Sequence, residues 1–517
     1  MTGYMADLPP ARFNLARYCL DRQARAHGDR TALIVVNRID ETSEDVERWT
    51  FAAIDERIRR MAAGLAGAGL APGERLFIRM GNSADYAFLF FAANAAGLVP
   101  IPASAMLSAE EVSRLIADSG ASAIAWDGSL ALPDLPSDVR LIDPQGIAAL
   151  ARCEPVDYAD TAADDPAFLI YTSGTLGAPK GVLHAQRAVW GRRPMYRGWE
   201  GFEDGDVMLH AGAFNWTYTL GVGLFDPWAN GLTAIVYTGE RDIAVWPRIV
   251  ARFGATIMAA VPTLYRQMLK YCDLTPAALA PLRHALTAGE ALPATLLEHW
   301  HETTGRMLYE ALGMSEISTY ISSAPSVPVK PGAPGKPQPG RAVAILPVEG
   351  GEDPLPPGEA GLIAVHRSDP GLMLGYWNRP DEEALVYRGN WFVGGDVAHF
   401  DEDGYLWFEG RNDDLMNAFG YRVSPLEVES VLERHRDVAE VAVGEVSPRA
   451  GLSIVAAFVV ARTDRFDPED LMAFAAEHLA AYKTPRAVFA VKALPRNPNG
   501  KIRRKDLQRL VPSREDA

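Results

Sequence analysis

The sequence predicts an α/β protein in two parts, a large layered α/β region followed by a small α+β domain. Three observations carry this. Helical and strand-like periodicities alternate through the first ~400 residues, the pattern of helices layered on sheets. The chain has 517 residues, more than one typical domain holds. After Arg411 the pattern changes to a compact α+β arrangement of about 105 residues.

In chain order, residues 52–68 carry helical spacing and residues 74–80 read as a strand. The most apolar run, 86–102, is interrupted by Asn94, Gly97 and Pro100. It is too short and too broken to span a bilayer. It reads as a buried helix capped by Ser83 that leads into a buried strand. Residues 167–171 form an apolar entry into a Gly- and hydroxyl-rich loop. Residues 246–253 read as a helix and 256–260 as a strand. Residues 325–340, PSVPVKPGAPGKPQPG, are dense in proline and glycine and read as an ordered crossing loop or a linker. The acidic turn FDEDG at 400–404 precedes a strand at 405–408 and the stretch GRNDD. A helix at 425–435 and strands at 438–443 and 453–460 follow. The domains expected are therefore 1–411 and 412–517. No internal repeat is present.

Hydrophobic content of 48% and charged content of 22% place the chain among ordinary globular proteins. A net charge of −16 argues against a general nucleic-acid or anionic-membrane binder. It leaves local phosphate binding open. Cys19, Cys153 and Cys272 are far apart and lack CxxC spacing. A disulfide framework or thiolate zinc site is not expected, which fits a reducing, cytoplasmic setting. The N-terminus, MTGYMADLPPARF, has no apolar core of signal-peptide type.

The most informative stretch is YTSGTLGAPK, Tyr171–Lys180, followed by Gly181. Hydroxyls and bare amides in such a loop can wrap phosphate oxygens, and the lysine supplies a point charge. An ordinary solvated turn has the same composition. It is not a Walker sequence, because Lys180 is followed by Gly181 and the hydroxyls of Thr172, Ser173 and Thr175 precede it.

YTSGTLGAPKGV resembles the phosphate-loop signature of the adenylate-forming enzymes: acyl- and aryl-CoA synthetases, luciferases and the adenylation domains of peptide synthetases. It departs only at Leu176, where the family usually has threonine. The resemblance covers about residues 12–510, with five motifs in family order. It implies a large multi-sheet N-terminal domain of layered α/β type plus a small mobile α+β C-terminal domain. ATP, Mg²⁺ and coenzyme A are implied, with ATP held by Thr172, Ser173, Gly174, Thr175 and Lys180.

The remaining roles are implied in the same way. EALGMSE, Glu310–Glu316, stands where the family places a hydroxyl on the α-phosphate and a carboxylate on Mg²⁺. Ser315 and Glu316 hold those places, and a hard oxygen ligand suits Mg²⁺. Leu312 would cover the adenine, an aliphatic choice seen in benzoate-type ligases, and Glu290 is a further ATP contact. Asp396 in WFVGGDVA would accept both ribose hydroxyls, since a carboxylate accepts and does not donate. Arg411 is its matching contact, and Asp413 corresponds to the family's hinge. Lys501 in PRNPNGKIRRKDL matches the lysine essential for adenylation, where it stabilises developing charge. Arg503, Arg504 and Lys505 read as a solvated helix start. FGYRV supplies Gly420, Tyr421 and Arg422 as coenzyme A candidates.

Residues 209–223, LHAGAFNWTYTLGVG, stand where the family lines its acid pocket, with Phe214, Trp216 and Tyr218 as walls. Ala288, Gly289 and Gly313 complete it. The same aromatic spacing also suits a plain core strand. No Asp or Glu lies between Asp206 and Asp226, so a substrate ammonium would have no partner there. An aromatic, alicyclic or short- to medium-chain acid is expected.

Sixteen residues follow Lys501, so no carrier domain is expected and the acyl acceptor is free coenzyme A. The expected activity is that of an AMP- and diphosphate-forming carboxylic acid:CoA ligase, nearest the benzoate-CoA-ligase-like group. One alternative is a stand-alone enzyme that loads a carrier protein. Another is a nucleotide-binding regulator without turnover. Partners expected are a small carboxylic acid, a second copy in a homodimer, and a lysine acetyltransferase acting on Lys501. Nucleic acid and a membrane span are not expected.

Overall fold

The computed structural model describes residues 7–40, 43–172, 179–240, 242–412, 416–418, 421–449, 452–463, 465–479, 481, 483–496 and 502–511. Its contacts divide the chain into two compact units. The first comprises residues 1–292, 296–342 and 366–390. The second comprises 293–295, 343–365 and 391–517.

The first unit is built on a nine-stranded sheet. Its six central strands are parallel, in the order Met307–Met314, His284–Ala288, Ile257–Ala260, Val207–His210, Thr233–Tyr237 and Thr31–Ile39. Parallel strands with both faces covered read as near-continuous apolar runs. This is why His284–Ala288 and Ile257–Ala260 are buried at every position. A second, all-parallel sheet joins Val99–Pro102, Arg75–Arg79, Ala123–Trp126 and Arg140–Ile142. A third, antiparallel sheet joins Gly375–Tyr376, Lys180–Ala185 and Pro166–Thr172.

The helices follow local sequence rules. The helix Ala84–Ala95 starts at Ser83, whose hydroxyl accepts from the Tyr86 amide at 3.1 Å. Apart from Asp85 in its first turn, every residue of it is buried, and of these only Asn94 is strongly polar. The strand Val99–Pro102 follows it, as the sequence predicts. Phe51–Gly67 and Val245–Phe253 match the predicted helices, and Arg75–Arg79 and Ile257–Ala260 the predicted strands. The prolines of 325–340 lie in an ordered crossing that contributes the short strand Lys336–Pro337 to the large sheet.

One close approach pins the first unit. A Cβ on Gly191 would lie 2.1 Å from the backbone nitrogen of Gly371. Arg341 holds this crossing by donating to the Gly191 carbonyl at 2.8 Å and to both oxygens of buried Asp369. Asp369 in turn accepts from the Gly371 amide.

The second unit carries the antiparallel strands Val343–Leu346, Gly361–His366, Trp391–Phe400 and Leu406–Arg411. It also holds a hairpin, Met416–Ala418 with Tyr421–Val423. A three-stranded sheet of Val438–Arg449, Leu452–Ala461 and Ala487–Ala490 packs on the helices Pro425–Leu432 and Pro468–His478. Arg504 corrects the sequence reading: it is not a solvated charge. Its guanidinium reaches both oxygens of buried Glu429 and the Val443 carbonyl. Among the described residues no helix is long and apolar enough to cross a membrane.

Candidate active site

The hairpin of Pro166–Thr172 and Lys180–Ala185 places Thr172 directly opposite Lys180. Ser173, Gly174 and Thr175 lie outside the described residues. Lys180 pairs with Glu382 on the short helix Pro380–Leu385. Its ammonium also lies 5.4 Å from the ring centroid of Tyr376. Tyr376 reaches this point because Gly375–Tyr376 pairs with the lysine's own strand, opposite Val182. The rim is braced by Asp118, which accepts from the Tyr171 hydroxyl at 2.7 Å and from Arg379 at 2.7 Å.

Ser315 and Glu316 lie in the tight turn between the strands Met307–Met314 and Ser318–Ser322. Two bonds fix this turn against the antiparallel sheet. His184 donates from Nε2 to the Ser315 carbonyl at 2.8 Å. The Met373 amide donates to the Glu316 carbonyl at 2.8 Å. The Tyr376 hydroxyl then donates to Glu316 Oε1 at 2.8 Å. Among the described residues no hydrogen bond engages Oε2 of Glu316. That oxygen is a hard donor of the kind Mg²⁺ takes beside phosphate oxygens and water, so the residues fit the metal. Glu316 Oε2 is the atom that would hold it. Leu312, half-buried, pairs with Ile321. A Cβ on Gly313 would meet the Ser318 carbonyl at 2.5 Å, so the strand can turn there only around a glycine.

Burial sets the charge states around this turn. It pushes His184 down to about 4, so the ring is neutral. His184 stacks on Phe168 with centroids 4.5 Å apart. Burial likewise pushes Glu310 up to about 8 and His210 down to about 3.

The predicted acid-pocket residues lie around the carboxyl ends of parallel strands, the usual crevice for ligands in such sheets. Tyr218 is edge-on to His210 at 4.4 Å and directs its hydroxyl to the Ala260 and Leu286 carbonyls at 3.4 Å. Trp216 caps the short helix Thr217–Leu220. Phe214 is buried beside Tyr86 at 5.4 Å, with its amide on Asn82. Ala288 ends its strand and pairs with Ala311. Gly289 takes a φ of 92°, and Glu290 accepts from Thr263 at 2.8 Å.

In the second unit Asp396 and Arg411 stand opposite one another in paired strands, with Arg411 Nη1 donating to Asp396 Oδ1 at 3.2 Å. Tyr421 and Arg422 lie on the strand Tyr421–Val423. Asp413, Gly420 and Lys501 lie outside the described residues. Sequence reasoning missed Tyr376, Glu382, His184 and His210. Their only signals were a Gly-Tyr-Trp turn, an acidic helix start and two histidines in apolar strands, each of which has a bland structural reading.

The family model described as AMP-binding enzyme matches residues 20–377, and that of the AMP-binding enzyme C-terminal domain matches 427–501. The chain is 31% identical to the acyl-CoA ligase YtcI of Bacillus subtilis, over 97% of each chain. It is 32% identical to the mitochondrial acyl-coenzyme A synthetase ACSM5 of Homo sapiens, covering 97% of this chain and 91% of that one. It is 30% identical to the benzoate–CoA ligase of Thauera aromatica, covering 96% and 95%. Among solved structures, ATP-bound MatB from Rhodopseudomonas palustris superposes with a TM-score of 0.86 at 27% identity, covering 96% and 98%. A benzoate CoA ligase from Burkholderia xenovorans LB400 gives 0.84 at 30% identity, covering 96% and 100%. The chain therefore belongs to the AMP-binding enzyme family and is an ATP-dependent, AMP-forming acyl-CoA ligase.

Proposed function

We propose that the protein activates an apolar carboxylic acid as an acyl-adenylate and transfers the acyl group to coenzyme A. The acid is aromatic, alicyclic or of short to medium chain length. The observation that carries this reading is the fixed turn Ser315–Glu316, held by His184 and Tyr376 beside Lys180. It gathers a hydroxyl, a carboxylate and an ammonium, a set suited to a metal-bound triphosphate.

In the first step an oxygen of the acid attacks the α-phosphorus of ATP and diphosphate leaves. Thr172, Ser173, Gly174, Thr175 and Lys180 hold the leaving phosphates, and Ser315 bonds the α-phosphate. Glu316 would hold Mg²⁺, which when bound would supply positive charge against the phosphates. Leu312 and Glu290 border the adenine, and Asp396 with Arg411 holds the ribose. Lys501 steadies the charge that develops on the reacting groups. In the second step the coenzyme A sulfur attacks the acyl carbon and AMP leaves, with Gly420, Tyr421 and Arg422 beside the incoming thiol. The part of the chain after Arg411 turns about Asp413 between the two steps. The separate C-terminal family match at 427–501 supports treating that part as a unit.

Two observations support an apolar acid. Asp226, the carboxylate that ends the pocket segment, is fully buried and paired with Arg192, so it offers nothing to a substrate ammonium. A benzoate–CoA ligase is also among the relatives at 30% identity.

The test is AMP release from ATP by the full chain over benzoates, cyclohexane carboxylate and C2–C10 fatty acids, with and without coenzyme A. Acid-dependent AMP release with thioester formation is expected. Diphosphate exchange that never responds to coenzyme A would instead indicate loading of a carrier protein. No turnover with any acid would reject the proposal.

A further inference from the structure

The turn that carries Ser315 and Glu316 is closed by a residue in a strained backbone conformation. Met314 pairs with Ser318 across the two strands, so residues 315–317 alone make the turn. Ser318 closes it at a φ of 79°. Among the described residues, Asn378 is the only other non-glycine residue at positive φ. Glycine is the usual choice for the left-handed residue that ends a three-residue hairpin loop. A Cβ there crowds the following carbonyl. A serine keeps such a conformation only where its surroundings over-determine it.

The surroundings of Ser318 do this through its hydroxyl. Oγ accepts from Arg192 Nη1 and donates weakly to Met195 Sδ at 3.9 Å. Arg192 is buried and held at its other two donors. Nε donates to Asp226 Oδ1 at 2.7 Å, and Nη2 donates to Oδ2 of the same fully buried carboxylate. The guanidinium is planar, so these two bonds fix the direction of Nη1. A Cβ on Gly221 would lie 2.2 Å from Arg192 Nη2, so the guanidinium occupies room that only a glycine leaves.

We propose that Arg192, locked by Asp226, is a positioning residue that acts through Ser318 to aim the Glu316 carboxylate at Mg²⁺. The inference rests on the ligase reading above, in which Glu316 is the metal's ligand, and adds the device that directs it. Tyr376 orients the end of the Glu316 side chain. Arg192 sets the backbone from which that side chain departs. Ser315 keeps a separate tie, through His184.

The experiment measures ATP binding by calorimetry across a Mg²⁺ titration, with the full-length chain and without acid or coenzyme A. Ser318→Ala keeps the steric cost of this φ and loses the acceptor, so the turn should relax. The Mg²⁺ concentration for half-maximal response should rise by about 10-fold, the scale of losing a group that orients a metal ligand. ATP binding without Mg²⁺ should be unchanged, which a general collapse of the site would not allow. Ser318→Gly also loses the acceptor but takes this φ without steric cost. Its half-point should fall between wild type and Ser318→Ala. Arg192→Lys keeps a charge beside Asp226 but not the fixed Nη1, and should match Ser318→Ala. The two combined should be no worse than either alone, because both break one contact. If Arg192→Lys does not fold, the two Ser318 variants still decide.

A wild-type half-point in Ser318→Ala would overturn the inference. So would a half-point in Ser318→Gly as high as that in Ser318→Ala, or a loss of Mg²⁺-free ATP binding equal to the loss with Mg²⁺. Glu316→Gln tests the reading beneath it and should remove most of the Mg²⁺ response. If it does so while Ser318→Ala leaves the half-point unmoved, the inference alone falls. If Glu316→Gln leaves the response intact, Glu316 is not the ligand and both fall.

Discussion

Tyr376 donates its hydroxyl to Glu316 across 2.8 Å while its ring lies 5.4 Å from the Lys180 ammonium. One side chain thus orients the carboxylate and flanks the cation. A group that aims a metal ligand commonly governs affinity for the metal by 10- to 100-fold. Tyr376→Phe should raise the Mg²⁺ concentration for half-maximal AMP formation by about 10-fold. A Mg²⁺ titration at saturating ATP reads this, and an unchanged half-point would break the link between Tyr376 and the metal.

Lys180 is held by Glu382, so binding of a triphosphate requires it to exchange partners. Glu382→Gln should lower KM for ATP by roughly two- to five-fold, the range of one partly exposed ion pair. A higher KM in this variant would show that Glu382 positions Lys180 for the nucleotide.

The two lysines should separate in half-reaction assays. Lys501→Ala should lose at least ~10²-fold in adenylation, as when a preorganised charge-stabilising donor is removed. It should still convert preformed acyl-adenylate with coenzyme A. Acetylation at Lys501 should act like the alanine variant, because it removes the same charge. Equal losses in both half-reactions would contradict the rotation proposed about Asp413.

The Gly191–Gly371 crossing makes a stability prediction. Gly191→Ala forces a methyl into backbone and should cost about 1–3 kcal/mol. Arg341→Met leaves Asp369 buried without its partner and should cost about 3–5 kcal/mol. Urea unfolding midpoints measure both, and wild-type midpoints would refute the bracing role.

Stability should fall at both ends of the pH scale, for separate reasons. Glu310 is raised from 4.5 to about 8, so its stabilising contribution is complete below 4.5 and is lost as pH rises towards 8. Glu310→Gln should remove that alkaline loss. His184 and His210 are lowered from 6.5 to about 4 and about 3. The unfolded chain binds their protons first, so stability falls as pH drops below 6.5. Thermal melts from pH 4 to 9 would test both limbs, with the Glu310→Gln curve flatter only on the alkaline side.

The elements legible in the sequence were those set by local rules. Ser83 announces its helix, and the apolar run of residues 167–171 announces its strand. Ser315 and Glu316 could be singled out through their motif, and the fold adds that they share one turn. Tyr376 was not, because its partner is 60 residues away and only strand pairing with 180–185 joins them. Arg504 misled in the opposite direction: a basic cluster looks solvated until Glu429 is folded against it. The aromatics of 214–218 fit a strand by spacing but form a cap and a short helix, since Trp216 starts a turn there.

The His184–Ser315 bond also ties the turn to the core beneath it. One imidazole nitrogen holds the backbone of the turn that carries Ser315, and the ring is stacked on buried Phe168. A turn anchored in this way is ordered when the chain folds, so its ordering entropy is not charged against ligand binding.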